Sequence, residues 1–503
     1  NDISGSCIVD DFNNDGYLDI VASSYGLTDQ LHYFKNRGNG EFVDRTDAAN
    51  LTGIVSGLNM VQADYNNDGF LDFLILRGAW LGNAGQHPNS LIRNNGDGSF
   101  SDVTRSSGLY SLHPTQTAAW GDFNNDGHLD LFIGNESSNS GTHKSELYVN
   151  NGDGSFTESS SAFGLNVDVF VKGCVWGDID NDGDLDLYVS NLLGNNLMFE
   201  NMGAESSFQF REISSSSGTQ SPMFSFPCWF WDVNNDGLLD LYVNSFDIRD
   251  FTTASAKVAA DYLNKEVPTT YSSLYINKGQ NRFEEVTEEY GLKTVLYTMG
   301  CNFADIDNDG FEDFYAATGT PDFRAVFPNR MFKNSKGMRF LDVTTATGTG
   351  HIQKGHGVGF GDIDNDGDQD MYVVLGGSYT GDNFMNALFK NPLDNEASWI
   401  VLDLEGEECN KSAIGARIRV VVLDANGTSR EIYRIVNSGA SFGCNSLRQE
   451  IGLGNIQSIE GVFLRWPGQT EEVAINNCSP NTLYSIKQGD AAASAITVEA
   501  FEL

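Results

Sequence analysis

Short apolar runs alternate with clusters of Asp, Asn and Gly along most of the chain. The runs YLDIVAS, FLDFLIL, HLDLFIG, DLDLYVS, LLDLYVN, FEDFYAA and DQDMYVV each read as one buried strand bounded by turn residues. Ahead of them lie further apolar stretches, such as AAWG, CVWG, CWFW and GVGF. Behind them come aromatic–asparagine segments: HYFKN, LIRNN, LYVNN, MFEN, LYINK, MFKN and ALFKN. Pieces such as GEFVDRT, GSFSDVT, NRFEEVT and MRFLDVT close most units. Four short strands per unit, joined by Gly/Asn turns and repeated seven times, predict an all-β chain built as a seven-bladed β-propeller. The seventh unit ends at ALFKNP without a fourth strand, so closure of the ring calls for WIVLDL at 399–404 or for residues upstream of Asn1.

Two departures from the repeat shape the domain plan. After LYVNSF, near 246–270, an insertion contains TTASAKVAADYLNKEV, where Ala256, Val258, Ala259, Tyr262 and Leu263 have helical spacing. It is expected to hold one short helix, as a decorated loop or as a lid or partner-binding element. From about 394 the strands lengthen (IGARIRVVV, REIYRIV, GVFLRWP, TLYSIK), which predicts a small β-sandwich-like domain. The expected plan is a propeller over 1–393, a second all-β domain over 394–490 and a tail over 491–503.

Between the first and second strand of every unit stands one phrase, D-x-[DN]-x-D-G-x-x-D. Side-chain oxygens at positions 1, 3, 5 and 9, with the carbonyl at position 7, can converge on one cation, and Gly at position 6 permits the turn. The expected ligand sets are Asp11, Asn13, Asp15, Tyr17 and Asp19; Asp64, Asn66, Asp68, Phe70 and Asp72; and Asp122, Asn124, Asp126, His128 and Asp130. Next come Asp178, Asp180, Asp182, Asp184 and Asp186, then Asp232, Asn234, Asp236, Leu238 and Asp240. The last two are Asp305, Asp307, Asp309, Phe311 and Asp313, and Asp362, Asp364, Asp366, Asp368 and Asp370. Hard oxygen donors in a flexible loop favour Ca²⁺, about seven ions, in a structural role. Carboxylates held this close repel one another without a cation.

Composition narrows the function. With 30 Lys+Arg against 69 Asp+Glu, the formal charge is −39, which argues against nucleic acid and against anionic lipid. No apolar run is long enough to span a membrane as a helix. The opening residues NDISGSCIVDDF have neither a basic nor an apolar signal region, so either there is no signal peptide or this is a processed form. Sequons at Asn50, Asn135, Asn410, Asn426 and Asn477 accept glycans only if a eukaryote secretes the chain. Calcium loops of this kind saturate where Ca²⁺ is millimolar, so a secreted, extracellular or periplasmic location is expected.

The seven phrases resemble the FG-GAP (VCBS) repeats of integrin α-subunit propellers. NKSAIGARIRVVV, NSGASFGCNSLRQEIGLG and GVFLRWPGQTEEV resemble the ASPIC/UnbV domain, and the stretch joining the two is similar to the cartilage acidic protein family. The resemblance implies a calcium-bound seven-bladed propeller, export, and in animal members a secreted matrix or receptor-binding role.

Chemistry outside the calcium loops is expected on the opposite face, which carries the longer loops and five histidines: His87, His113, His143, His351 and His356. Counting back six residues from the calcium loops puts Gln116, Lys172, Met299 and His356 at the channel mouth, beside Asp322, Arg324, Tyr379 and Asp382. His356, Lys354, His351, Lys172 and Tyr379 are the candidate catalytic residues. Converging histidines could take an additional transition metal or act as acid and base. GASFG at 439–443 matches G-x-S-x-G, but nothing around Ser441 reads as the strand–turn–helix a nucleophile needs. Cys7, Cys174, Cys228 and Cys301 each precede a calcium loop by four residues and read as core thiols, whereas Cys409 and Cys444 could pair.

Two functions follow. One is a secreted calcium-binding module that meets a protein or glycan through the loop face opposite the calcium sites. The other is a calcium-stabilised enzyme of cyclase, alkylating or metal-dependent type, with a small-molecule substrate at the channel mouth on that face.

Overall fold

The structure, a computed structural model, describes residues 4–379, 381–392, 396–437 and 442–503. The repeat folds into seven antiparallel sheets, six with four strands and the last with three. Their inner strands are Cys7–Asp10, Asn59–Ala63, Thr115–Gly121, Val171–Gly177, Ser225–Trp231, Thr298–Ala304 and Gly355–Gly361. Each inner strand packs beside the next, and the seventh packs beside the first, so the blades surround one axis. The residue four before each calcium loop (Cys7, Met60, Ala118, Cys174, Cys228, Cys301, Val358) is buried between blades.

Two rings of asparagines stitch the blades together. The Asn ending each third strand sends its side-chain amide to the carbonyl after the first loop aspartate of the preceding blade. Asn94 reaches Phe12 at 2.7 Å, Asn150 reaches Tyr65 at 2.8 Å and Asn201 reaches Phe123 at 2.8 Å. Asn277, Asn334 and Asn391 repeat the bond, and Asn36 makes it to Ile363 at 3.1 Å, across the closing junction. The second ring uses position 4 of the phrase, Asn in every copy and held in the left-handed region at φ 55–64°. There Asn tolerates the strain better than most residues. These amides donate to the glycine carbonyl of the next blade, from Asn14 to Gly69 at 3.1 Å round to Asn365 to Gly16 at 3.4 Å.

Removing one stitch should be costly but local. Asn150→Ala strips the donor from the buried Tyr65 and Leu129 carbonyls. We expect a loss of about 2 kcal/mol in denaturant unfolding with calcium present. A change near zero would show that water replaces the amide.

Residues 399–404, one of the two candidate sources of a closing strand, do not supply it. That segment lies in Ser398–Glu405, which pairs with Gln449–Gly454 and, in parallel, with Thr482–Lys487. Its hydrophobic face is buried against the C-terminal core rather than against the seventh blade. Gly357 N donates to Gly5 O at 2.9 Å, so main-chain and asparagine bonds do the closing. The C-terminal region has two four-stranded sheets, one containing Ser398–Glu405 and the other built on Arg417–Asp424 and Ile456–Arg465. Ile400, Leu402, Val420, Val422, Leu464 and Ile486 are buried in the same core, which gives the sandwich. The expected boundary at 393/394 and Ser441 lie outside the described residues. The segment read as a tail contains the strand Ser494–Ile496, and Phe501 meets Tyr17 of the first blade.

The insertion holds a helix, Ala254–Tyr262. Ala254 and Val258 are buried, while Tyr262 and Leu263 stay largely exposed, so only part of the predicted face packs.

The C-terminal region sits on the face that carries the aspartate loops. Lys411 N donates to Asn67, Tyr433 N to Asn235 and Asp64 N to Ser412. One of its segments runs down the central channel. Cys444 exchanges main-chain bonds with Cys7 and Val9, and Val358 N donates to Phe442 O. Phe442 thereby reaches the far mouth of the ring, stacked on Phe226 with centroids 5.5 Å apart.

Candidate functional site

Each aspartate loop winds around its first carboxylate. The glycine N–H at position 6 donates to that aspartate in all seven copies, from 2.6 Å in Gly16–Asp11 to 3.3 Å in Gly183–Asp178. The N–H at position 7 donates to the position-5 aspartate. The position-9 aspartate spans from its loop to the third strand. Asp19, Asp72, Asp130, Asp186, Asp240, Asp313 and Asp370 each accept from the backbone N–H of the stitching asparagine.

In three blades the carboxylates converge tightly. Ligand atoms of Asp178, Asp180 and Asp182, of Asp305, Asp307 and Asp313, and of Asp362, Asp364 and Asp366 lie within 4.8 Å of one another. In the second, third and fifth blades the asparagine at position 3 touches the position-5 carboxylate instead, at 2.8–3.0 Å. Burial pushes these acids up, to about 7 for Asp19, Asp122 and Asp232 and to about 8 for Asp370. Groups of that kind stay ionised at neutral pH only beside a compensating positive charge. Asp130 Oδ2, Asp178 Oδ1 and Asp364 Oδ1 are buried without a hydrogen-bond partner. Buried carboxylate oxygens left without a donor fit a hard divalent cation, which needs several oxygens at once.

Ion-paired bases accompany the three loops richest in acids and also the first loop, where Lys35 meets Asp15 at 3.0 Å. The phrases starting at Asp178, Asp305 and Asp362 contain five acids each, and each has an ion-paired base. Arg465 meets Asp178 at 2.6 Å, Lys333 pairs with Asp307, and Lys390 meets Asp364 at 2.6 Å. Arg434 adds contacts to Asp305 at 3.5 Å and Glu312 at 3.4 Å. The phrases starting at Asp64, Asp122 and Asp232 contain three acids and have no ion-paired base among the described residues. Because Arg434 and Arg465 come from the C-terminal region, their pairs with Asp305, Glu312 and Asp178 help to orient that region on a nearly seven-fold ring.

The opposite face carries a cavity of about 370 Å³ at the channel mouth. Tyr25, Trp80, Phe226, Phe246, Phe251, Tyr379 and Phe442 supply most of its wall, with Lys354 and His356 among them. Loops between second and third strands provide Trp80, Phe246, Thr320 and Tyr379, and the insertion provides Phe251. The residues six before each loop line up as expected, but they divide. Leu58, Phe226, Met299 and His356 face the cavity. Gln116 and Lys172 are fully buried behind it.

Of the five candidate catalytic residues, Lys354, His356 and Tyr379 share this cavity. Lys172 does not reach it: its ammonium pairs with the buried Glu136, donates to Gln116 Oε1 at 3.0 Å and lies 3.2 Å from the centroid of the Trp80 ring. Burial lowers its pKa to about 8 against the opposing pull of Glu136. His351 lies elsewhere, its ring against Phe384 at 5.1 Å. His113 and His143 meet each other at 3.2 Å, with Asn83 at 3.2 Å from His143. Among the described residues, the groups of three that could hold a metal are all aspartates. No disulfide joins Cys409 to Cys444; the Cys444 thiol lies 3.3 Å from Met60 O inside the channel. Of the mouth residues, Asp322 pairs with the exposed Arg324 at 2.6 Å, and Asp382 pairs with Lys354.

The Nδ1 of His356 lies 2.6 Å from Ser4 Oγ, and that hydroxyl lies 2.9 Å from Gly376 O. We assign the proton to Nδ1, because the Ser4 hydrogen then serves the Gly376 carbonyl, and this leaves Nε2 as an acceptor. Burial, aided by Lys354, pushes the pKa of the ring down to about 4. The unfolded state then binds a proton that the folded state refuses, so stability falls as pH drops from about 6.5 toward 4. Relative to His356→Gln, the wild type should lose about 3 kcal/mol across that window, measured by denaturant melts at fixed calcium. Parallel pH profiles for the two proteins would contradict the assignment.

Comparison with known proteins agrees with this architecture. A model for the FG-GAP-like repeat matches residues 11–75, 79–133, 122–189 and 178–243, and the ASPIC and UnbV model matches residues 406–493. The chain carries FG-GAP-like repeats and an ASPIC and UnbV domain. It is similar to cartilage acidic protein 1 of Homo sapiens, 23% identical over 346 residues, covering 65% of this chain and 48% of that protein. Cartilage acidic protein 1 of Mus musculus is 31% identical over 165 residues, 31% of this chain and 24% of that one. The chain thus spans about half, or less, of the length of the curated relatives it matches. Among solved structures, BBS1N in complex with ARL6DN aligns with a TM-score of 0.42 at 9% identity, covering 78% of this chain and 95% of that one. No helix among the described residues is long and apolar enough to cross a membrane.

Proposed function

We infer that the chain is a calcium-braced extracellular or periplasmic binding module that meets a protein or glycan partner through the loop face. Its domain plan is a propeller over 1–393 and a second domain over 394–490. The aspartates of the seven phrases, with the position-3 asparagines and position-7 carbonyls, would hold Ca²⁺. The ion would supply charge compensation between strands, and the residues around it fix loop shape and the docking of the C-terminal region.

One observation carries the reading: the two faces of the ring are not equivalent. The C-terminal region covers the aspartate loops, while the other face presents an aromatic cavity of about 370 Å³. At its rim Tyr379 and Phe323 are 51% and 58% exposed and stacked 5.8 Å apart. Exposed aromatics around a concave mouth mark a contact surface.

The test is binding of the calcium-loaded chain to arrays of glycans and of extracellular protein domains, repeated with Ser378→Trp, which fills the cavity. Partner binding that is lost in this variant at an unchanged melting temperature supports the reading. Binding that survives the filled cavity refutes it.

A further inference from the structure

We propose that the cavity on the loop face takes a small uncharged ligand with a planar apolar body and one hydrogen-bond donor, seated so that the donor meets Nε2 of His356. The proposal rests on the reading of that face as the binding face and adds the chemistry of what enters it.

The body of the ligand follows from the walls. Phe226 stacks on Trp80 with centroids 5.8 Å apart and on Phe442 at 5.5 Å, and it meets Phe246 at 5.3 Å. Aromatic faces set around a space of about 370 Å³ favour a flat apolar group of one or two rings. Its charge follows from Lys354. That ammonium is buried and paired with Asp382, so the ion pair is already neutral. A cationic ligand would meet Lys354 with no carboxylate left for itself. An anionic ligand would lose its hydration in an apolar cavity whose one ammonium is taken.

The donor follows from the tautomer of His356. With the proton assigned to Nδ1 beside Ser4, Nε2 is a lone-pair acceptor at the cavity wall. A buried acceptor left empty by a ligand costs more than one left to water. The site should therefore prefer a ligand that brings an N–H or O–H. Phe442 ties the site to the C-terminal region, because its ring lies 6.4 Å from that of His356 and belongs to the channel segment.

Three probes test this by isothermal titration of the calcium-loaded full chain: indole, 3-methylindole and 1-methylindole. The first two keep the N–H and the last lacks it, while the two methyl compounds have equal bulk. Indole and 3-methylindole should bind at least about tenfold more tightly than 1-methylindole. In His356→Phe that preference should vanish. Equal binding of the two methylindoles to the wild type overturns the proposal, and so does the absence of saturable binding by all three. If the variant fails to fold, the methylindole pair on the wild type decides alone. Partner binding lost in Ser378→Trp, together with no indole discrimination, leaves the binding-face reading standing and sinks this proposal. Partner binding that survives Ser378→Trp sinks the reading itself.

Discussion

Chelation of the folded chain should lower its melting temperature by tens of degrees. A cation bound to the folded state and not to the unfolded chain stabilises by mass action, about 2.7 kcal/mol per site at a hundredfold excess over Kd. Several such sites together rival the whole stability of an ordinary domain, about 5–15 kcal/mol. The effect should also spread, because every loop is bonded to its neighbour. The position-4 asparagine of one loop holds the glycine carbonyl of the next, and the third-strand asparagine holds the carbonyl inside the preceding one. A loop that opens to separate its carboxylates therefore strains both adjoining junctions. Scanning calorimetry with and without EDTA reads the shift, and re-addition of calcium should restore it. A transition unchanged by EDTA would refute the bracing role.

Lys172→Met should cost about 3–5 kcal/mol, the range for breaking a buried ion pair by removing one partner. Lys172 and Glu136 both have fully buried side chains, and Glu136 also accepts from Trp80 N at 2.7 Å. Removing the ammonium leaves that carboxylate among aromatic rings with the Trp80 N–H as its remaining donor, so Glu136 must take up a proton or lose its place. Trp80 has φ +67°, an uncommon conformation for a bulky residue, and this bond helps to hold it there. Adding Glu136→Gln should recover most of the loss, because the pair is worth far less than either charge left alone. Denaturant melts of the two single variants and the double variant check this. Additive losses would mean that the two side chains do not depend on each other. Because Trp80 walls the cavity, Lys172→Met should also weaken whatever the cavity binds.

The blade plan was readable because strand periodicity and the aspartate phrase recur together, and local chemistry decides both. The roles of the asparagines were not read, although they stand in the same repeats. Asn36 and its six counterparts lie at the end of an aromatic strand, where an amide reads as a turn signal, and only the neighbouring blade reveals its partner carbonyl. Closure stays open in the sequence for a related reason. WIVLDL is a good strand, and nothing local says which sheet will take it. The cavity was half visible: stepping back six residues from each loop found Met299 and His356, and the same register holds Leu58 and Phe226. Phe442 could not be placed, since its position depends on how a second sheet pair docks on the ring. His351 and His356 do not share the cavity, because nearness along the sequence says little about where two side chains point.

The most direct test of the account is calcium stoichiometry. The purified chain is dialysed to equilibrium against millimolar free calcium, and the excess metal on the protein side is measured by plasma mass spectrometry against protein concentration. About seven calcium ions per chain are expected, one for each aspartate phrase. A chain that keeps its fold while holding one ion or none would contradict it.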